Sequence, residues 1–413
     1  MTPMAELRRV ALFSKEYPPN VYGGAGVHVE YLSKALAKSI EVEVRAFGDG
    51  APVAGNPAVR FYPQWDETRS AADPRFVGAV DAMARSLAMA KDRLDAQLAH
   101  CHTWYADMAG VFASQLWGVP YVLTIHSLEP LRPWKEEQLG RAYHLSAWME
   151  RTAIEQAHAI IAVSRETRED VLRLFKVAPE RVHVIHNGID PEEYRPVPAQ
   201  DALIRNGIDP GRPFLLFVGR VTRQKGIMHL VRAIAAIDRD VQVVLCAGAP
   251  DTPEIGREME AGVAAAAAQR PGVTWVREML SRPDVIQLYT HATMFCCPSV
   301  YEPFGIINLE AMACETPVVA SAVGGIPEVV VPEETGILVD PRLKPGSFDP
   351  EDPGAFSAGL AAAVNRLARD PGLRQRFGQA GRRRVLEHFS WDAIAQTTLE
   401  LYRSLLKEET DGT

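Results

Sequence analysis

The chain has 413 residues, of which 47% are hydrophobic and 23% charged; that is an ordinary globular balance, and the length calls for two domains rather than one core. A net charge of -8 argues against nucleic acid, which needs a concentrated basic surface, and no window approaches a membrane-spanning run of apolar residues. The five cysteines, Cys101, Cys246, Cys296, Cys297 and Cys314, are odd in number and form no CxxC pair, which favours free, buried thiols in a reducing compartment.

From the start, MTPMAELRRVALF runs straight into a strand with no apolar stretch and cleavage site, so the expected location is cytoplasmic. Short apolar runs then alternate with helical periodicity, the pattern of doubly wound α/β domains with parallel sheets. The first half predicts strands near 9–14, 41–47, 98–102, 120–125, 158–163 and 182–186, with helices around 25–39, 76–97, 135–156 and 165–175. Between Arg195 and Pro213, prolines, glycines and charges break both periodicities and mark an interdomain connection. Further strands follow near 214–218, 241–247, 273–276, 293–297, 317–321 and 336–339, and SWDAIAQTTLELYRSLLKEE closes the chain as an amphipathic helix. The expected domains are therefore 1–194, a linker at 195–213, 214–390, and a C-terminal helix at 391–413 that packs back on the first domain. Two such α/β halves make a cleft between them, where a ligand would sit.

Several strand exits carry polar chemistry. SVYEPFGIINLEAMA holds Glu302 and Glu310 on either side of a Pro-Phe-Gly turn, with a helix beginning just after Gly305. A helix N-terminus at the carboxyl end of a strand suits a diphosphate, and the two carboxylates suit sugar or ribose hydroxyls. Taken singly, Glu302 also fits a turn cap and Glu310 a solvated helix face. In YGGAGVHV, Gly23, Gly24 and Gly26 open a helix after the first strand, where glycine lets the backbone approach phosphate; the spacing is not the dinucleotide fingerprint. VGRVTRQKG brings Arg220 and Lys225 to another exit, two cations able to neutralise a diphosphate leaving group. LTIHSLEP places His126 at the end of a strand, and VIHNGID places Asn187 and Asp190 at another, the last two also fitting an Asx-type turn. Asp238-Arg239-Asp240 matches the DxD pattern of a metal-held diphosphate, but it precedes a strand, at the wrong end of the sheet for ligand binding. No metal site and no cofactor are expected.

These motifs in this order resemble the GT-B retaining glycosyltransferases of family 4: KEYPPNVYGGAGVHV, HCHTWY, HSLEPLRPWKEEQLG, VIHNGID, VGRVTRQKG, CPSVYEPFGIINLEAMAC and ASAVGGIPEVV span nearly the whole chain. The resemblance implies two Rossmann-like domains and a metal-independent transfer of glucose from ADP-glucose to glucose 1-phosphate, within α-glucan or glycogen biosynthesis. It implies that Glu302 binds donor-glucose hydroxyls and Glu310 the ribose. The amides of Phe304, Gly305 and Ile306 would approach donor sugar and diphosphate. Arg220 and Lys225 would hold the diphosphate, Gly23 and Gly24 would close over it, and His126 would touch the sugar near its 6-hydroxyl. His126, Arg220, Lys225 and Glu302 are then the catalytic set. With no agreed nucleophile in the family, a front-face transfer is expected rather than double displacement.

For the acceptor, Arg132 and Lys135 are expected to hold a phosphate and Trp134 to stack on a sugar face, with Trp104 and Tyr105 lining the same region. A solvated helix start fits LRPWKEEQLG equally. Alternatives are elongation of an α-1,4-glucan, a UDP-glucose or GDP-mannose donor, and a UDP-sugar 2-epimerase, an isomerase of the same fold. A membrane-acting mannosyltransferase is disfavoured because helix 76–97 mixes Arg85, Lys91 and Arg93 with Asp81, Asp92 and Asp95. The partners expected are a nucleotide-sugar donor, a sugar phosphate or glucan acceptor and a second copy of the chain, but neither nucleic acid nor a membrane.

Overall fold

The computed structural model describes residues 7–21, 23–66, 73–248 and 250–411. It divides into two compact units, one made of Met1–Gly188 with Trp391–Thr413, the other of Ile189–Ser390. The chain leaves the first unit after Gly188, where a Cβ would lie 2.7 Å from the Trp391 ring. Exit and re-entry thus pack against each other, and only glycine fits there. The segment 195–213, expected as a linker, lies wholly inside the second unit and carries the short helix Asp201–Arg205, whose Ala202 amide donates to the buried Gln287 side chain (2.8 Å). Prolines and charges there punctuate a packed loop, and the units divide earlier than 194.

The first unit is built on seven parallel strands: β1 (Arg9–Ser14), β2 (Glu41–Phe47), β3 (Ala58–Tyr62), β4 (Leu98–His102), β5 (Tyr121–Ile125), β6 (Ala159–Ala162) and β7 (Val182–Val184). Their order is β3-β2-β1-β4-β5-β6-β7. Successive strand side chains point to opposite faces, so each strand feeds two cores. Ala11, Phe13, Ala99, Cys101 and Leu123 pack under the helices Val77–Lys91, Trp104–Trp117 and Arg141–Gln156. Val10, Leu12, Val44, Leu98 and Val122 pack under Gly24–Leu36 and the C-terminal helix Trp391–Asp411. The first and last helices of the chain are therefore neighbours, with the Tyr31 and Trp391 rings stacked at 5.9 Å. β3 is a strand that the sequence did not announce, and the expected 135–156 helix is two, Pro133–Leu139 and Arg141–Gln156, broken at Gly140 with φ 52°.

In the second unit six parallel strands, β8 (Phe214–Arg220), β9 (Gln242–Gly248), β10 (Val273–Val276), β11 (Met294–Cys297), β12 (Val318–Ser321) and β13 (Gly336–Val339), run in the order β10-β9-β8-β11-β12-β13. Helix starts are written into the sequence as a capping side chain followed by proline: Thr252 accepts from the Ile255 amide, Asp352 from Gly354 and Ala355, and Asp370 from Leu373. All five cysteines are free and buried. Among the described residues no helix is long and apolar enough to cross a membrane.

Each sheet reverses its winding once, between β1 and β4 in the first and between β8 and β11 in the second. The carboxyl ends of those strand pairs are where open α/β sheets bind ligands.

Candidate active site

In the second unit the loops after β8 and β11 interlock. The Val300 amide donates to the Gln224 carbonyl (3.0 Å). Gly226 has φ 62°, and a Cβ there would sit 1.9 Å from the Pro298 carbonyl oxygen. Glycine alone permits that approach. It places Lys225, whose amide donates to Thr222 Oγ1 (3.1 Å), so that its Nζ donates to Glu302 Oε2 at 2.7 Å. Ser299 Oγ donates to the same oxygen (3.1 Å). Burial works to lower the Lys225 pKa, but Glu302 and Cys297 together outweigh it, and the net shift is upward. The two side chains form an ion pair partly out of water.

The Glu302 backbone is fixed as firmly as its side chain. Its carbonyl accepts from the Gly325 amide (3.0 Å), and Gly324, at φ 58°, passes so close that a Cβ would lie 1.9 Å from the same oxygen. This assigns a physical job to the GG of ASAVGGIPEVV. Gly305, at φ 96°, then starts the helix Ile306–Ala313, with Phe304 buried beside Phe389. The first amides of that helix lack intrahelical acceptors. Four residues on, Glu310 is not on a solvated face: Tyr194 Oη donates to its Oε1 (3.2 Å) and Tyr289 Oη to its Oε2 (2.9 Å). Burial raises its pKa above the usual carboxylate range, against those two hydrogen bonds. Tyr194, which the sequence assigns to the first domain, belongs to the second unit and was missed as a partner of Glu310.

Arg220 ends β8, and its Nη1 donates to Asp251 Oδ1 (2.9 Å). Its charge opposes protonation of Lys225, so the two cations are near one another. The structure thus gathers Arg220, Lys225, Glu302, Phe304, Gly305, Ile306 and Glu310 around the winding reversal of one sheet. Asp238 of the DxD lies elsewhere, held by Arg369 through two hydrogen bonds of 2.8 and 2.7 Å.

The first unit shows what its sequence concealed. His126, just past β5, is one of four clustered histidines. His102 Nδ1 lies 3.2 Å from His126 Nε2, His28 Nδ1 pairs with Asn187 Oδ1 (2.7 Å), and His100 bonds Tyr402 Oη (2.6 Å) and Thr124 Oγ1 (2.7 Å). Asn187 therefore serves His28, whereas Asp190 makes the expected Asx-type turn, accepting from the Glu192 amide (2.9 Å). Burial, and then mutual repulsion, holds His100, His102 and His126 well below the usual imidazole pKa; His28 is lowered to about 4 by burial. Ligand atoms of His28, His102 and His126 lie within 4.8 Å of one another, close enough to hold a metal ion. No ligand-like spacing along the chain announces it. Each neutral imidazole offers one donor and one acceptor, a lining suited to hydroxyl groups. Among the described residues, His28 Nε2, His102 Nε2, Thr103 Oγ1 and Trp104 Nε1 are buried with no hydrogen-bond partner. Thr103 has φ 69°, a conformation that costs a β-branched residue energy and concentrates at functional sites.

Gly23 precedes the helix Gly24–Leu36, and its amide donates to Glu16 Oε2 (2.8 Å). A Cβ on Gly23 would meet nothing within 4 Å, whereas one on Gly26 would strike Glu16 at 2.8 Å. Among the sequence-expected acceptor residues, Arg132 Nη1 is engaged by the buried Glu129 carboxylate (3.3 Å), itself beside the buried Glu150. Trp134 and Lys135 ride half-buried on the helix Pro133–Leu139. Tyr105 stacks on Trp104 at 3.9 Å.

Comparison with known proteins agrees with this layout. Residues 22–193 match the model of Glycosyltransferase Family 4, and residues 200–384 that of Glycosyl transferases group 1. The chain is 50% identical over 404 residues to alpha-maltose-1-phosphate synthase of Mycolicibacterium smegmatis, covering 96% of this chain and 99% of that one. It is 30% identical over 429 residues to a glycogen synthase of Mycobacterium tuberculosis, covering 97% and 96%. Among solved structures, sucrose-phosphate synthase from Thermosynechococcus elongatus superposes with TM-score 0.78 at 28% identity, covering 97% of this chain and all of that one. Two parallel Rossmann-like sheets of the GT-B type, family models over both halves and full-length relatives lead to one conclusion: the chain is a glycosyltransferase and belongs to family 4.

Proposed function

We propose that this enzyme transfers glucose, with retention, from ADP-glucose to glucose 1-phosphate, giving α-maltose 1-phosphate for α-glucan synthesis in the cytoplasm. The observation that carries the reading is the 50% identity, over nearly the full length, to a relative named for that product. The fixed Lys225–Glu302 pair at the winding reversal supports it. An ammonium has three donors; one serves Glu302, and the others are available to the diphosphate, with Arg220 beside it. Glu302 accepts donor-glucose hydroxyls, Glu310 the ribose hydroxyls, and the amides of Phe304, Gly305 and Ile306 face the donor sugar and diphosphate. Gly23 and Gly24 approach the donor through their backbone, and the neutral His126 ring bonds a sugar hydroxyl.

Glu302 is tied to a cation, which makes it a poor nucleophile. The acceptor hydroxyl therefore attacks C1 from the face that the diphosphate leaves. The C1–O bond to ADP breaks, the new C1–O bond forms, and the acceptor proton passes to the departing phosphate oxygen. Positioning and stabilisation of the leaving charge supply the rate.

The test is product analysis with ADP-glucose and either glucose 1-phosphate or glycogen. A soluble disaccharide phosphate is expected, formed at the same rate with a chelator present. A lengthened polymer with no disaccharide phosphate would assign the chain to glucan elongation instead, and turnover of a nucleotide sugar without any acceptor would assign it to epimerisation.

A further inference from the structure

The first unit contains a cavity of about 650 Å³ beside the carboxyl end of β1. Lys15, the residue after β1, lines it, and its ammonium sits 3.7 Å above the centre of the Tyr105 ring. Among the described residues Lys15 has no hydrogen bond and no ion pair. The other charges on the wall are accounted for. Arg85 donates to Asp81 (3.0 Å) and lies over the Phe47 ring at 4.8 Å; Glu16 accepts from the Gly23 amide, at the start of a helix; Asp49 is exposed at the rim. A half-buried ammonium over an aromatic face, with Glu16 and Asp81 near but not ion-paired to it among the described residues, keeps its donors for a ligand. Burial and the Arg85 charge push its pKa below the usual lysine value, against the pull of Glu16 and Asp81.

We propose that this cavity binds the acceptor as a phosphorylated monosaccharide, with Lys15 holding the phosphate over Tyr105 and the sugar hydroxyls reaching Arg85, Asp81 and Asp49. The site lies at the carboxyl ends of β1 and β2, beside the winding reversal of the first sheet and on the side of a parallel sheet where ligands bind. It moves phosphate recognition from Arg132, whose Nη1 is engaged by Glu129, to a cation that rests on the Tyr105 ring with no ion pair among the described residues. The inference rests on glucose 1-phosphate being the acceptor. It also explains the choice of acceptor: an unphosphorylated glucan end offers nothing to Lys15.

The experiment is calorimetric titration of the full chain, without donor, using glucose 1-phosphate and glucose as probes, on wild type, Lys15→Met and Lys15→Arg. Wild type is expected to prefer glucose 1-phosphate roughly tenfold to a hundredfold, the range of one charge-assisted hydrogen bond. Lys15→Met should abolish the preference and Lys15→Arg should keep part of it. KM for ADP-glucose should stay within about twofold in all three, which also reports intact folding and isolates the change as an acceptor effect. Equal binding of the two probes by wild type, or an unchanged preference in Lys15→Met, overturns the proposal. Failure of the functional reading shows separately, as polymer growth in the product assay.

Discussion

At the residue scale, the Lys225–Glu302 pair joins binding to stability. Lys225→Ala removes the ammonium proposed to hold the leaving diphosphate and strands the buried Glu302 carboxylate. We expect kcat/KM for ADP-glucose to fall on the order of 100- to 1000-fold, as when other groups that stabilise developing charge are lost, with a loss of about 1–3 kcal/mol in folding stability. Steady-state kinetics and thermal unfolding check the two effects separately. The histidine cluster predicts a pH dependence. His28 titrates near 6.5 when unfolded and at about 4 when folded, so between those values the unfolded chain binds the extra proton. Stability must then fall as pH drops from about 6.5 to 4, by up to about 3 kcal/mol from His28 alone. His100, His102 and His126 shift in the same direction. Urea unfolding across that range should show the slope, and His28→Gln should flatten it.

At the scale of the elements, glycines with different surroundings separate folding from function. Gly226→Ala and Gly324→Ala would each drive a Cβ to 1.9 Å from a carbonyl oxygen, at φ 62° and φ 58°. Both loops must shift, and stability and donor turnover should fall together. Gly23→Ala meets open space at an extended backbone, so the melting temperature should hold or rise slightly while KM for the donor rises if the sugar nucleotide approaches that backbone. Sequence reading found the strands and their polar exits because buried parallel strands are uninterrupted apolar runs. It missed β3, whose AVRFY is short, lies at the sheet edge and buries only Val59 and Tyr62. It saw Glu302, Lys225 and Glu310 by motif, but not that Glu310 answers to Tyr194 and Tyr289. The histidines were hidden for a plain reason. His28, His100, His102 and His126 come from one helix, one strand and the turn after another, and only the sheet order places them side by side.

At the scale of the whole molecule, the first unit depends on the last helix. Trp391, Ile394, Leu399, Tyr402 and Leu405 are buried in its second core, and the Tyr402 hydroxyl bonds His100. Ending the chain at Ser390 should destabilise the first unit while leaving the second, whose boundaries are Ile189 and Ser390, close to its normal melting temperature. Calorimetry should then show two transitions, the lower one assigned by loss of the stability slope between pH 6.5 and 4.

That division also sets an order of events at the ribosome. The second unit is complete once Ser390 has been translated, but the sheet begun at Arg9 waits for the helix Trp391–Asp411 before its second face is covered. During synthesis, Val10, Leu12, Val44 and Leu98 lie on a surface awaiting its lid. A premature stop codon between Ser390 and Leu399 would therefore release a chain with an intact second unit and a sticky first one, a ready target for chaperones and proteases.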